Sequence, residues 1–410
     1  MYKQRIVCLL GGLLMVSCMT TEKEISVGAS PQKGPPKPLP GVWRGLDAYE
    51  LRDDLALKDV LAPYFLMGAA INGVSNETAS ITHEGMAALL KKHFNSTTLS
   101  NLMKPVYLLD EGATKKNPNG LPVCKFDTVE PALQFCKENA IKMRGHTLVW
   151  HVQTPKWFFH VNYDEAKPLA DAATMERRLE SYIQQVLTYT QKNYPGVIYC
   201  WDVVNEAVAD GGGLRVDSPW YQTMGAGYIE KAFFYARKYA DKNVALFYND
   251  YNVFEPPKRS TILEVVESLK QKGLIDGIGL QPTVGLEYPE LDSTSAPNSF
   301  RNTLQIFART GLQLQVTELN FKIDGPITPQ RLRQQAQRYY EMMYLLLKMD
   351  TDNGGPCNIT SVTVFGLCDD YPLYKDFKQN LYLWDKDCRP KEAFYAYLQA
   401  GLDWKESQRK

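Results

Sequence analysis

The stretch Tyr199-Cys200-Trp201-Asp202-Val203-Val204-Asn205-Glu206-Ala207 decides how the rest of this chain is read. Aromatic and β-branched residues dominate it up to Val204, where apolar character stops and an acid follows, as in a short buried strand with Glu206 at its downstream end. A second stretch of the same design comes much later, Leu314-Gln315-Val316-Thr317-Glu318-Leu319-Asn320. In a barrel of parallel strands the downstream ends carry the active site. Two carboxyls facing each other across a cleft suit the cleavage of a glycosidic bond. One is protonated to release the leaving oxygen, and the other is ionised to attack or stabilise the anomeric carbon. A single glutamate at a strand end is ordinarily a solvated terminus. The pairing of two such strands, about three βα units apart, is what points to chemistry.

Hydrophobic periodicity fills in the remainder. Strands are expected at 64–71, 94–99, 143–151, 197–204, 244–248, 277–281, 314–318 and 359–367. Helices are expected at 82–93, from an Asp127 cap to 140, and at 174–193, 221–239, 258–272, 299–310, 329–348 and 391–402. This alternation gives the α/β class and a single (β/α)8 TIM barrel over 46–405. Its enlarged loops, 105–126, 282–298 and 368–389, all fall on the face that carries the two glutamates.

Ahead of the barrel, Lys3 and Arg5 precede an apolar run from Ile6 to Val16 that is too short to span a bilayer, and Ser17-Cys18 follows. Residues 1–18 therefore read as a secretory signal. A cysteine directly after a small residue resembles a bacterial lipoprotein site, with Cys18 as the lipidated first residue; an ordinary signal peptide cut nearby is the alternative. Residues 19–45, rich in proline, lysine and glycine, read as an extended tether. The protein is accordingly expected to be exported and lipid-anchored to a bacterial outer membrane, on its periplasmic or its surface side, as a monomer.

The remaining length, about 370 residues, suffices for one large core. Lysine plus arginine and aspartate plus glutamate both total 46, and this balance argues against nucleic acid as a partner. The eight cysteines contain no Cys-x-x-Cys and do not cluster with the five histidines, so no metal site is expected. In an oxidising compartment Cys124 with Cys136, or two of Cys357, Cys368 and Cys388, are the candidates for pairing.

Trp201 to Ala207 and Val316 to Asn320 resemble the two catalytic strands of glycoside hydrolase family 10, the endo-1,4-β-xylanase family. So does Gly145-His146-Thr147-Leu148-Val149-Trp150-His151, followed by Gln153, Pro155 and Trp157. The resemblance implies a retaining hydrolase of a β-linked polysaccharide or oligosaccharide that needs no cofactor. Glu206 would be its general acid/base and Glu318 its nucleophile. It further implies sugar contacts by Asn101, Lys104, His146, Trp150, Asn205 and Gln281. Asn249 and Asp250 would support the acid, although Asn-Asp is equally a turn sequence. Asp202 reads as a buried structural acid.

Several positions depart from the family pattern. Pro282-Thr283 stands where Gly-His is usual, and Asn320 where the family has aspartate; these two changes read together as rebuilt support for the nucleophile. Phe365-Gly366 and Pro372-Leu373 replace two tryptophan positions, and Ser100 replaces a glutamate. The smaller Phe365 raises the alternative of a β-linked hexose or C6-substituted glycan as substrate, unless Tyr371, Tyr374 or Trp384 fills the gap. An alternative of another class is a catalytically weak carbohydrate-binding lipoprotein.

Overall fold

The computed structural model describes residues 41–72, 80–369 and 380–409. Eight parallel strands close into a barrel: β1 Leu66–Ile71, β2 Ser96–Leu99, β3 Lys142–Trp150, β4 Ile198–Asn205, β5 Ala245–Tyr251, β6 Gly277–Gln281, β7 Gln313–Lys322 and β8 Ile359–Val364. Each pairs with the next, and β8 pairs with β1. A short strand, Thr283–Gly285, continues the path of β6 and pairs with Asn320–Lys322 of β7.

The helices pack outside because their apolar residues recur every three or four positions. Ala172–Asn193 buries Met175, Leu179, Tyr182, Ile183, Val186 and Leu187, each such side chain worth about 1.5–3 kcal/mol. The Asp171 side chain caps it by accepting from Thr174 N at 2.8 Å. Glycines mark where barrel side chains cross a strand. A Cβ at Gly145 would lie 2.3 Å from the Trp201 ring, and one at Gly279 2.2 Å from Asn249 Oδ1.

Some expected boundaries move. The helix expected at 221–239 is two, Pro219–Met224 and Gly227–Tyr239, broken at Gly225 with φ 62°. Asp127 is not a cap, since the helix there starts at Glu130 after Val129. The 105–126 loop holds two short helices, Pro105–Leu108 and Glu111–Lys116. Strands β5 and β7 run beyond their expected ends and carry Asn249, Asp250 and Asn320 within them. Trp43, expected in the tether, is buried; its ring stacks on Tyr49 and its Nε1 donates to Glu392 Oε1 at 2.9 Å. The signal sequence, Cys18, Tyr371, Pro372, Leu373 and Tyr374 lie outside the described residues.

The six described cysteines are thiols, including Cys124 and Cys136, for which pairing was considered. Cys368 and Cys388 place their Sγ atoms 3.1 Å apart across the loop that follows β8. Oxidation by oxygen or a soluble disulfide, which takes up two electrons and two protons, is expected to join them. Peptide mass mapping without reductant should find the 368–388 pair lighter by two hydrogens. Closing a loop of this length should stabilise the domain by about 3 kcal/mol. Two free thiols after air exposure would contradict this.

Candidate active site

Both glutamates stand at the downstream end of the barrel, where the three strands β3, β4 and β7 deliver them with their neighbours. The deepest layer is polar. The Arg144 guanidinium donates to both Asp202 carboxylate oxygens at 2.8 and 2.6 Å and to Gln315 Oε1 at 2.5 Å, and all three residues are buried. His146 Nδ1 lies 2.9 Å from the same carboxylate. Burial alone would raise the Asp202 carboxyl, but Arg144 and then His146 hold it below the ordinary carboxylate range. Asp202 is thus the structural acid its sequence context suggested.

One layer higher, Glu206 leaves β4 in the left-handed backbone region at φ 56°. A non-glycine residue there costs on the order of 1–3 kcal/mol and persists where its surroundings hold it. Its N–H donates to Asn249 O at 2.9 Å, and its carbonyl accepts from Arg215 Nε at 3.2 Å. The next N–H, of Ala207, donates to Tyr248 Oη at 3.1 Å, and that hydroxyl donates to Asp250 Oδ2 at 2.6 Å. Asp250 is itself paired with the buried Lys258 at 2.9 Å. Burial nonetheless raises its carboxyl to about 6.

The side chain of Glu206 accepts from Trp150 Nε1 at 2.9 Å and also bonds Gln281. Gln281 Nε2 and Asn249 Nδ2 both donate to Asn205 Oδ1, at 3.0 and 2.9 Å, and Thr317 Oγ1 donates to Asn249 Oδ1 at 2.8 Å. Asn205, Asn249 and Gln281 therefore form one amide chain that ends beside Glu318. This favours the site reading of Asn249 and Asp250 over a turn, since both sit inside β5.

Lys104 is buried with its Nζ 4.5 Å from the centre of the Trp150 ring, and it donates to Gln153 Oε1 at 2.8 Å and Asn101 Oδ1 at 3.2 Å. Burial lowers its pKa, while the charges of Glu318 and Glu206 favour its protonated form. Burial raises Glu206 above its ordinary range. Burial and then the charge of Glu206 raise Glu318. One protonated and one ionised carboxyl were expected from the sequence, and burial raises both. Two acids sharing a partly desolvated groove titrate as a unit, and the first proton leaves far more easily than the second.

Thr283 and Asn320 are register partners, and both act on main chain. Thr283 Oγ1 donates to Glu318 O at 2.9 Å, and Asn320 Nδ2 donates to Phe365 O at 3.3 Å. Phe365 follows β8, half-buried. Trp384 does not fill the space beside it, because its ring packs on His93, Phe94 and Phe394. Among the described residues, no group of three or more His, Cys, Asp or Glu side chains is placed to hold a metal ion.

Arg144, Gln315, Lys258, Arg215 and Tyr248 were not anticipated as parts of this site. The signal for the first was present, since an arginine two residues before His146 on a buried strand demands a partner.

A model of glycosyl hydrolase family 10 matches residues 56–400. A "Putative endo-1,4-beta-xylanase" of Caldicellulosiruptor saccharolyticus is 68% identical over 74% of this chain and 99% of its own length. Endo-1,4-beta-xylanase B of Butyrivibrio fibrisolvens is 43% identical over 84% of this chain, which spans 53% of that enzyme. The structure of an endo-1,4-β-D-xylanase of Clostridium thermocellum complexed with xylohexaose superposes with a TM-score of 0.74 at 32% identity, covering 84% of this chain and 67% of that one. With its closed eight-stranded barrel and the match running from before β1 into the last helix, this chain belongs to glycosyl hydrolase family 10 and is a retaining glycoside hydrolase of the endo-1,4-β-xylanase family.

Proposed function

We propose that the protein cleaves internal β-1,4 linkages of xylan by double displacement, with Glu206 as acid/base and Glu318 as nucleophile. The observation that carries this assignment is the difference in surroundings. Glu206 accepts hydrogen bonds from Trp150 and Gln281, whereas Glu318, raised by burial and by the charge of Glu206, relies on the Lys104 and Arg144 cations to favour its ionised form. Glu318 attacks the anomeric carbon while Glu206 protonates the leaving oxygen. Glu206 then takes a proton from the water that releases the sugar. Asn205, His146 and Lys104 line the same face and bind sugar hydroxyls, and Trp150 forms a wall. The relatives named above are xylanases, which does not favour the hexose alternative raised by Phe365. Membership of an enzyme family does not favour a binding module.

Two glutamine variants separate the roles. Glu206→Gln should lose about 10²–10⁴ in kcat on xylan. It should lose much less in the first step on an aryl xyloside whose phenol leaves without a proton. Glu318→Gln should abolish turnover of both, and the opposite pattern would exchange the assignments.

Lys104 also sets the working pH. Its charge favours the ionised form of both glutamates, so removing it raises both titrations. The kcat/KM profile of Lys104→Met should therefore slide to higher pH on both limbs, besides falling in height. A profile that keeps its position, or moves toward acid, contradicts this role.

Export and anchoring through Cys18 belong to the same proposal and rest on the N-terminal sequence. Labelled palmitate fed to expressing cells should enter the wild type and not Cys18→Ala. Label in neither would leave an ordinary secreted protein.

A further inference from the structure

Beyond the catalytic groove, the segments that follow β6 and β7 enclose a second concavity of about 240 Å³, lined by Gly285, Glu287, Tyr288, Asp324, Arg331 and Gln334. That is below the roughly 300–1,000 Å³ of clefts for drug-sized ligands and suits a single sugar ring. It lies on the substrate face, six residues past Glu318. At the chain's full reach, this puts Asp324 no more than about 20 Å from the nucleophile. A polysaccharide held in the groove can span that distance.

Three features make this a built site. Tyr288 is 47% exposed yet rigid, because its hydroxyl donates to Glu255 Oε1 at 2.5 Å and accepts from Asn298 Nδ2 at 2.7 Å, and its ring meets Phe254 edge-on. A fixed, exposed aromatic face is what a pyranose stacks on. Arg331 Nη1 is buried and has no hydrogen-bond partner, which leaves a charged donor to be satisfied. Gly325, at φ 92°, makes room for it, since a Cβ there would come within 3.1 Å of that nitrogen. The lining carries two carboxylates, Glu287 and Asp324, against one guanidinium. A net negative wall disfavours an anionic sugar and suits the vicinal hydroxyls of a neutral one.

We propose that this concavity is a glycan subsite that binds one uncharged pyranose of a polysaccharide whose backbone occupies the catalytic groove. It rests on the xylan reading above, so its test reads binding without turnover. In the inactive Glu318→Gln background, Tyr288→Ala and Arg331→Met are each compared with their parent by electrophoresis through gels containing soluble xylan, with thermal melting as the check on folding. A folded variant should be retarded with at least a five-fold weaker apparent affinity. In the active background, the ratio of kcat/KM on xylan to that on an aryl xyloside should fall by a similar factor. Equal retardation of parent and variants, or a parent that migrates freely, overturns the subsite. Absence of xylan turnover in the wild type overturns the catalytic reading instead, and the gel comparison still decides the subsite.

Discussion

A single guanidinium at the centre of the barrel fixes the distances on which the site depends. Arg144 grips Asp202, four residues before Glu206 on β4, and Gln315, three residues before Glu318 on β7. It stands two residues before His146 on β3. The three strands that deliver Glu206, Glu318 and His146 are thereby joined at one point, below the place where they must be in register. An ion pair so deep is costly to desolvate, and its Coulomb attraction only roughly offsets that cost. Removing one partner, by contrast, leaves a naked charge and costs about 3–5 kcal/mol. The pair thus acts less as a source of net stability than as a constraint on which arrangement of the strands is tolerable.

Above that layer the groups around the glutamates are chiefly uncharged amides. Asn205, Asn249, Gln281 and Thr317 run as one hydrogen-bonded chain from β6 through β4 and β5 to β7. Amides can fix geometry without adding net charge, and the cations that favour ionisation act from farther off, Lys104 on both acids and Lys258 on Glu206. That explains why both carboxyls are raised. Among the described residues neither has an ion-pair partner in direct contact, and burial disfavours ionisation of each.

The barrel itself was readable because every one of its strands is bounded by a change of hydrophobic period, and that signal is local. The two glutamates were readable for the same reason, as an acid just past the apolar run of β4 and an acid that interrupts that of β7. What could not be read was contact between distant segments. Arg144 and Asp202 are far apart in sequence, and their pairing depends on the register between β3 and β4, which shifts irregularly around Met143 and again after His146. The cluster of Lys258, Asp250, Tyr248 and Arg215 behind Glu206 draws on three separate segments, none of which is unusual alone. Gly225 splits a helix whose apolar periodicity continues across the break, so periodicity alone carried the expected helix through it.

The two departures beside Glu318 follow from the same electrostatics. Thr283 and Asn320 face each other across the short strand and β7, and each is tied to main chain rather than to the Glu318 carboxyl. They therefore set where the strand lies and leave the ionisation of Glu318 to other groups. Those groups are cations, Lys104 first and Arg144 after it, acting against burial and against Glu206 and Asp202. A charged aspartate at 320 would add a third anion to the ones that already oppose ionisation, with no histidine at 283 to answer it. A neutral amide at 320 accordingly adds no further opposition to the ionisation of Glu318 once threonine occupies 283. The two substitutions are coupled through Glu318, although neither side chain touches its carboxyl group.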